Sequence, residues 1–143
     1  MPTPTLVVAR AAYDEMLRRG EAGGEREVCG VMAGRRGEAE SRVVDVHPAE
    51  NVAETPETRY AMDPEEQYAI VERVEDAGRD VVGFYHSHPA GPPRPSGTDA
   101  ARATWTGYSY AIGAFDGAYP YLGSWRWRGD EAGFERELVV VEG

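Results

Sequence analysis

The chain contains no lysine. All fifteen basic residues are arginine, set against twenty-five Asp and Glu, for a formal net charge of −10. An acidic surface of this kind disfavours nucleic acid and anionic membranes as partners. It suits solution at high salt, where like-charge repulsion is screened, and so points to a halophilic source, with codon usage as the other origin of an arginine-for-lysine bias. Cysteine is nearly absent too. Cys29 stands alone and cannot close an intramolecular disulfide. It lies in an apolar run, where it reads as a small buried hydrophobe. No apolar run approaches the roughly 20 residues that cross a bilayer, and the N-terminus lacks the basic and apolar regions of a signal peptide. The expected location is the cytoplasm. Repeats are absent, and the one biased segment is a Pro-rich loop. The 143 residues read as a single domain, 1–143, long enough for its own core.

Periodicity predicts an α+β fold, a mixed, twisted sheet flanked by helices. A strand is expected over 5–10. Tyr13, Met16 and Leu17 then give the stripe of a first helix ending near Gly20. Residues 28–33 form a continuous apolar run, a buried strand, followed by a turn at Arg35-Arg36-Gly37. Strands are expected over 41–47 and 59–62. Asp63-Pro64-Glu65-Glu66 opens a helix with an Asp cap, Pro at the first position and acids in the first turn. Ile70, Val71, Val74 and Ala77 form its buried face, and Gly78 stops it. A central strand over 81–88 and a short helix over 99–104 follow. Strands over 108–115, 119–127 and 134–141 close the sheet.

Histidine is scarce, yet two of the three lie one residue apart, in GFYHSHPAGPPRPSGTD. On a strand, His86 and His88 point to the same face and can hold one metal ion. Ser96 and Asp99 follow, and Asp99 can supply a third ligand. The full spacing arises by chance in on the order of one in ten thousand chains of this composition. Three protein ligands leave a tetrahedral Zn²⁺ one position short, the mark of a catalytic rather than a structural site. Imidazole and carboxylate without thiolate suit zinc. Ser96-Gly-Thr-Asp99 also reads as a capping box at a helix start, which would present Asp99 from a fixed backbone.

With those residues in place, the string resembles the JAMM (MPN+) metalloprotease motif: a remote Glu, then His-x-His, seven residues, Ser, two residues, Asp. The remote Glu is Glu27, in EREVCGVMAG, and the similarity runs over nearly the whole chain, to the closing GSWRW strand. The chain is most similar to short archaeal members that remove ubiquitin-like modifiers, SAMPs, from lysines. The resemblance implies a cytidine-deaminase-like JAMM/MPN fold with a curved mixed sheet. It implies one Zn²⁺ per chain on His86, His88 and Asp99, Glu27 as general base and Ser96 as donor to the tetrahedral oxyanion. It implies hydrolysis of the isopeptide bond between a Gly-Gly tail and a lysine, with modifier conjugates as partners. The insertions that grip a particular ubiquitin linkage in longer relatives are missing.

Two other readings share the motif: C-terminal processing of sulfur-carrier precursors, and a scaffold that holds zinc without turnover. A zinc deaminase is excluded, since its Pro-Cys-x-x-Cys pair needs two cysteines. Outside the motif, Ser87 is expected on the opposite face and His47 in a structural or surface role. Tyr85, Trp105, Trp125 and Trp127 are expected to pack. The loop 89–95, stiffened by four prolines, either lines the substrate channel or simply connects.

Overall fold

The structure, a computed structural model, describes residues 2–115 and 120–143. The elements run β1 (Thr5–Ala9), α1 (Arg10–Ala22), β2 (Cys29–Arg35), β3 (Glu40–Ala49), α2 (Pro64–Asp76) and β4 (Asp80–His88). After these come α3 (Gly97–Arg102), β5 (Ser109–Ala114), β6 (Tyr121–Trp127), β7 (Phe134–Arg136) and β8 (Leu138–Glu142). Of the strand expected over 119–127, Tyr119 lies outside the described residues.

One sheet holds the eight strands in the order β7-β6-β5-β4-β2-β3-β1-β8. It is mixed: β4 and β5 are parallel, as are β1 and its neighbours β3 and β8, while β2 is antiparallel to both β3 and β4. The fold is α+β, as periodicity predicts. On one face, Ala12 and Met16 of α1 pack on Leu6, Val8, Met32, Val82 and Tyr85. On the other, Ile70 and Val74 of α2 pack on Val31, Phe84 and Trp127. Among the described residues no helix is long and apolar enough to cross a membrane.

A bulge sets the phase of β4. Met32 pairs with Gly83 but Ala33 pairs with Val81, so Val82 is an extra residue. Beyond it the strand alternates regularly. Phe84 faces α2, with His86 and His88 in the same phase, and Tyr85 faces α1.

Four expectations are corrected, the last of them the burial of Ala77. The strand foreseen over 134–141 is two strands on opposite edges: β7 pairs with β6, and β8 with β1. The sheet curls until those edges meet at Glu137, whose amide donates to Ser124 O while the next amide, of Leu138, donates to Pro4 O. The Glu137 side chain turns inward. It accepts from Ser109, Ser124 and Arg126, which is fully buried. Arg126 also donates to the Gly37 and Glu38 carbonyls. A buried ion pair holds when its remaining hydrogen-bonding groups are also satisfied, as here.

Second, α1 does not stop at Gly20 but runs to Ala22. Gly20 is an interior contact: a Cβ there would sit 2.7 Å from the Phe115 ring and 3.3 Å from Ser87 Cβ. Third, residues 59–62 are irregular rather than a strand. Val52 N donates to Ala61 O, and the Ala61 amide goes to the Asn51 side chain instead of a neighbouring strand. α2 forms as expected: Asp63 accepts from Glu66 N and Pro64 occupies the first turn. Ile70 and Val74 are buried, whereas Ala77 is exposed as the C-cap.

Candidate metal centre and active site

The site forms where β4 ends, beside the chain entering β2. His86 lies opposite Cys29 in the ladder. Ser87, on the opposite face as expected, pins the β2 entry: its Oγ accepts from Val28 N at 2.9 Å, and its own amide donates to Val28 O at 3.0 Å. Glu27, one residue earlier, is thereby held beside the histidines. It is 5 % exposed, a rare state for a carboxylate. One carboxylate oxygen of Glu27 and a ring nitrogen of each of His86 and His88 lie within 4.8 Å of one another.

Asp99 arrives from α3, where Ser96 and Asp99 form the anticipated capping box. Ser96 Oγ accepts from Asp99 N at 3.0 Å, and Asp99 Oδ2 accepts from Ser96 N at 2.8 Å. The cap uses Ser96 only as an acceptor, so its hydroxyl proton remains available for donation. Asp99 Oδ2 lies 3.0 Å from His88 Nε2, Oδ1 lies 3.3 Å from His86 Nε2, and the two Nε2 atoms are 3.1 Å apart.

These distances test the donor set. Zinc bonds of about 2.0–2.1 Å at tetrahedral angles place donor atoms roughly 3.3 Å apart. The two Nε2 atoms lie 3.1 Å apart and Asp99 Oδ2 lies 3.0 Å from that of His88, while the other Asp99 oxygen, Oδ1, lies 3.3 Å from that of His86. Two imidazole nitrogens facing each other at 3.1 Å repel unless a proton or a cation lies between them. His88 Nδ1 donates to Pro92 O at 2.9 Å, so in the neutral ring it is Nε2, on the side of the centre, that carries the lone pair. The residues fit a zinc ion.

Burial and the neighbouring groups set the ionisation of each residue. Burial opposes charge on Asp99, but its close contacts with the His86 and His88 rings and the Ser96 amide outweigh that and hold its carboxyl well below the usual range. Burial lowers His86 toward the neutral imidazole that binds metal, against an opposing pull from Asp99. Burial works the same way on His88, yet the hydrogen bonds to Asp99 and Pro92 win and raise it. Burial pushes Glu27 up to about 7; His88 pulls it down and Asp99 adds to the rise. Its Oε1 is buried with no partner among the described residues.

All five residues singled out by spacing and resemblance therefore come together: Glu27, His86, His88, Ser96 and Asp99. Cys29 is buried, and its thiol is pushed up to about 12 by burial and by Glu66 and Glu27. His47 lies away from the centre, 3.4 Å from Asp45. Tyr85, Trp125 and Trp127 pack in the interior. Trp105 packs edge-on against Phe84. It also lines a cavity of about 200 Å³ with Tyr60, Met62 and Tyr110. Residues 89–92 of the proline loop line a second cavity, of about 230 Å³, with Glu27, His88 and Ser96. Spacing gave no sign of two contacts: the Pro92 carbonyl on His88, and Tyr60, whose ring stacks on His86. A Pro-rich run near a ligand pair is the only hint of the first.

Known proteins share this framework. A desampylase of Haloferax volcanii is 45 % identical over 147 residues, covering 99 % of this chain and all of that protein. A CysO-cysteine peptidase of Mycobacterium tuberculosis is 33 % identical over 107 residues, 75 % of this chain and 71 % of that one. The solution structure of a protein from Desulfitobacterium hafniense superposes with a TM-score of 0.84 at 30 % identity, covering 96 % of this chain and 92 % of that one. The family of prokaryotic homologues of the JAB domain matches residues 9–128, and the chain belongs to it.

Proposed function

We propose that this chain is a zinc-dependent isopeptidase that cleaves between the C-terminal Gly-Gly of a ubiquitin-like modifier and the lysine of a target. The convergence of His86, His88 and Asp99 at zinc spacing, beside a buried, half-unpartnered Glu27, carries the reading. Similarity over the full length to a desampylase supports the substrate class.

His86, His88 and Asp99 would hold one Zn²⁺ per chain, which when bound would supply Lewis acidity to the scissile carbonyl and to a water. Glu27 takes the proton of the attacking water and delivers it to the lysine nitrogen as the C–N bond breaks. A base with a pKa near neutrality can do both. The Ser96 hydroxyl donates to the carbonyl oxygen as that oxygen gains charge. His88 is kept in one tautomer by Pro92 O. The cavity lined by Glu27, His88 and Ser96 lies on the substrate's route, with Pro89 and Pro92 as one wall. A diglycine tail carries no side chains and suits a narrow approach.

The 143 residues act as one catalytic domain in a salty cytoplasm, a setting that the charge of −10 and the free, buried Cys29 support. The second reading, linear processing of a sulfur-carrier precursor, draws on the similarity to a CysO-cysteine peptidase. A zinc-holding scaffold is disfavoured by Glu27, because a scaffold has no use for a buried carboxylate without a partner. The experiment is a side-by-side digestion of a lysine-linked modifier conjugate and a modifier with a linear C-terminal extension, followed by mass spectrometry. The proposal expects the conjugate to be cut after Gly-Gly at the higher rate. Cleavage of the linear extension alone selects the second reading.

A further inference from the structure

Residues 51–62 join β3 to α2 as neither helix nor strand, and they lie across the site. Asn51, the only asparagine in the chain, uses its whole amide there. Its Nδ2 donates to the carbonyls of Glu27 (2.9 Å) and Arg59 (3.1 Å). Its Oδ1 accepts from the amides of Ala53 and Ala61, both at 3.1 Å. The Glu27 amide donates to Pro56 O at 2.7 Å. Both backbone groups of Glu27 therefore end on this one segment. From the far limb of the same segment, the Tyr60 ring stacks on the His86 imidazole, with centroids 4.4 Å apart and planes 25° from parallel.

The two histidines are held differently. A metal-bound imidazole usually gives its second nitrogen to a carbonyl or carboxylate, which fixes the plane of the ring. His88 has that bond, to Pro92 O. His86 does not: its Nδ1 is buried with no partner among the described residues. What limits the rotation of its ring on that side is the face of Tyr60. We infer that residues 51–62 form a positioning strap hung on Asn51, whose backbone fixes Glu27 and whose Tyr60 fixes the plane of the His86 ring. The inference takes from the proposed function only that His86 is a metal ligand and Glu27 the base. It makes Asn51 and Tyr60 positioning residues that touch neither substrate nor ion.

The test strips the full-length chain of metal and titrates it with Co²⁺ against a competing chelator, reading the visible absorption of the bound ion. Tyr60→Phe keeps the ring face and is expected to retain wild-type affinity and band shape. Tyr60→Leu keeps bulk without the face; affinity should fall about tenfold and the bands should shift as His86 turns. Wild-type affinity and spectrum in Tyr60→Leu overturn the inference for Tyr60. If melting curves show Tyr60→Leu to be unfolded, Tyr60→Met carries the same two expectations. A wild-type chain that binds no Co²⁺ refutes the metal reading itself, an outcome distinct from equal binding by all variants. Asn51→Asp keeps both acceptor bonds and removes the donors to Glu27 and Arg59. Its kcat should drop about tenfold or more, from misplacement of the base, with KM unchanged. Wild-type kcat in Asn51→Asp overturns the role of Asn51.

Discussion

Replacing Glu27 by Gln removes a charge that the buried site disfavours, so a loss of catalysis should come with a gain in stability. Burial raises the Glu27 pKa from 4.5 to about 7. A folded-state pKa above the unfolded one means that protonation favours the fold. That contribution is complete below pH 4.5 and is lost as pH rises through about 7. Converted at about 1.4 kcal/mol per pH unit, the interval from 4.5 to about 7 amounts to on the order of 3 kcal/mol at pH 8 and under about 1 kcal/mol at pH 5. Gln has nearly the same shape and never ionises. Metal-free Glu27→Gln should therefore melt above metal-free wild type at pH 8, by several degrees at roughly 3 °C per kcal/mol for a domain of this size. At pH 5 the two should nearly coincide. Calorimetry at both pH values, with chelator present, reads the difference. A gap that is equal at pH 5 and pH 8, or reversed, refutes the argument from burial. In the zinc-loaded protein the same change should lower cleavage roughly 10²-fold or more, with zinc content unchanged. Loss of zinc would instead make Glu27 a ligand.

Ser96→Ala should lower kcat by about 10²–10³ with little change in KM, because it removes a donor to the developing oxyanion. It should also lose about 1 kcal/mol of stability with the cap of α3; a stability loss without the kinetic effect leaves Ser96 as a cap alone. Cys29, pushed up to about 12, should resist alkylation at pH 8 in the native state and react once the chain is unfolded; rapid native labelling contradicts its burial. Melting temperature and peptidase activity should both rise from low salt to molar NaCl, as the screening length falls from about 10 Å to about 3 Å around a net charge of −10. A flat or falling response assigns the missing lysines to codon usage.

The parts of this molecule legible in its sequence are those where side-chain chemistry repeats with the backbone period. His86 and His88 share a face because strands alternate, and Asp99 reaches them because a Ser–Asp capping box fixes where α3 begins. Asp63-Pro64 marks α2 because cap and first-turn preferences are local. What spacing hides depends on distant partners. The break at Glu137 follows from Arg126, eleven residues away in sequence, and no Gly, Pro or Asn in 134–141 marks it. Residues 59–62 read as a short strand, but Asn51 takes the Ala61 amide that a ladder would use. Gly20 looks like a helix stop and is instead where the Phe115 ring approaches. Tyr60 carries no local signal at all, since its partner lies 26 positions on, at the end of β4.

The central claim is that His86, His88 and Asp99 hold a zinc ion on which cleavage depends. Its most direct measurement is metal content and conjugate cleavage together, in wild type, His88→Ala and Asp99→Ala, before chelation, after it, and after zinc is restored. The account predicts about one zinc per wild-type chain, activity abolished by chelator and recovered with zinc, and zinc largely lost from both variants, since two remaining ligands hold the ion poorly. Full zinc retention in both variants, or wild-type cleavage that survives complete removal of the metal, would contradict it.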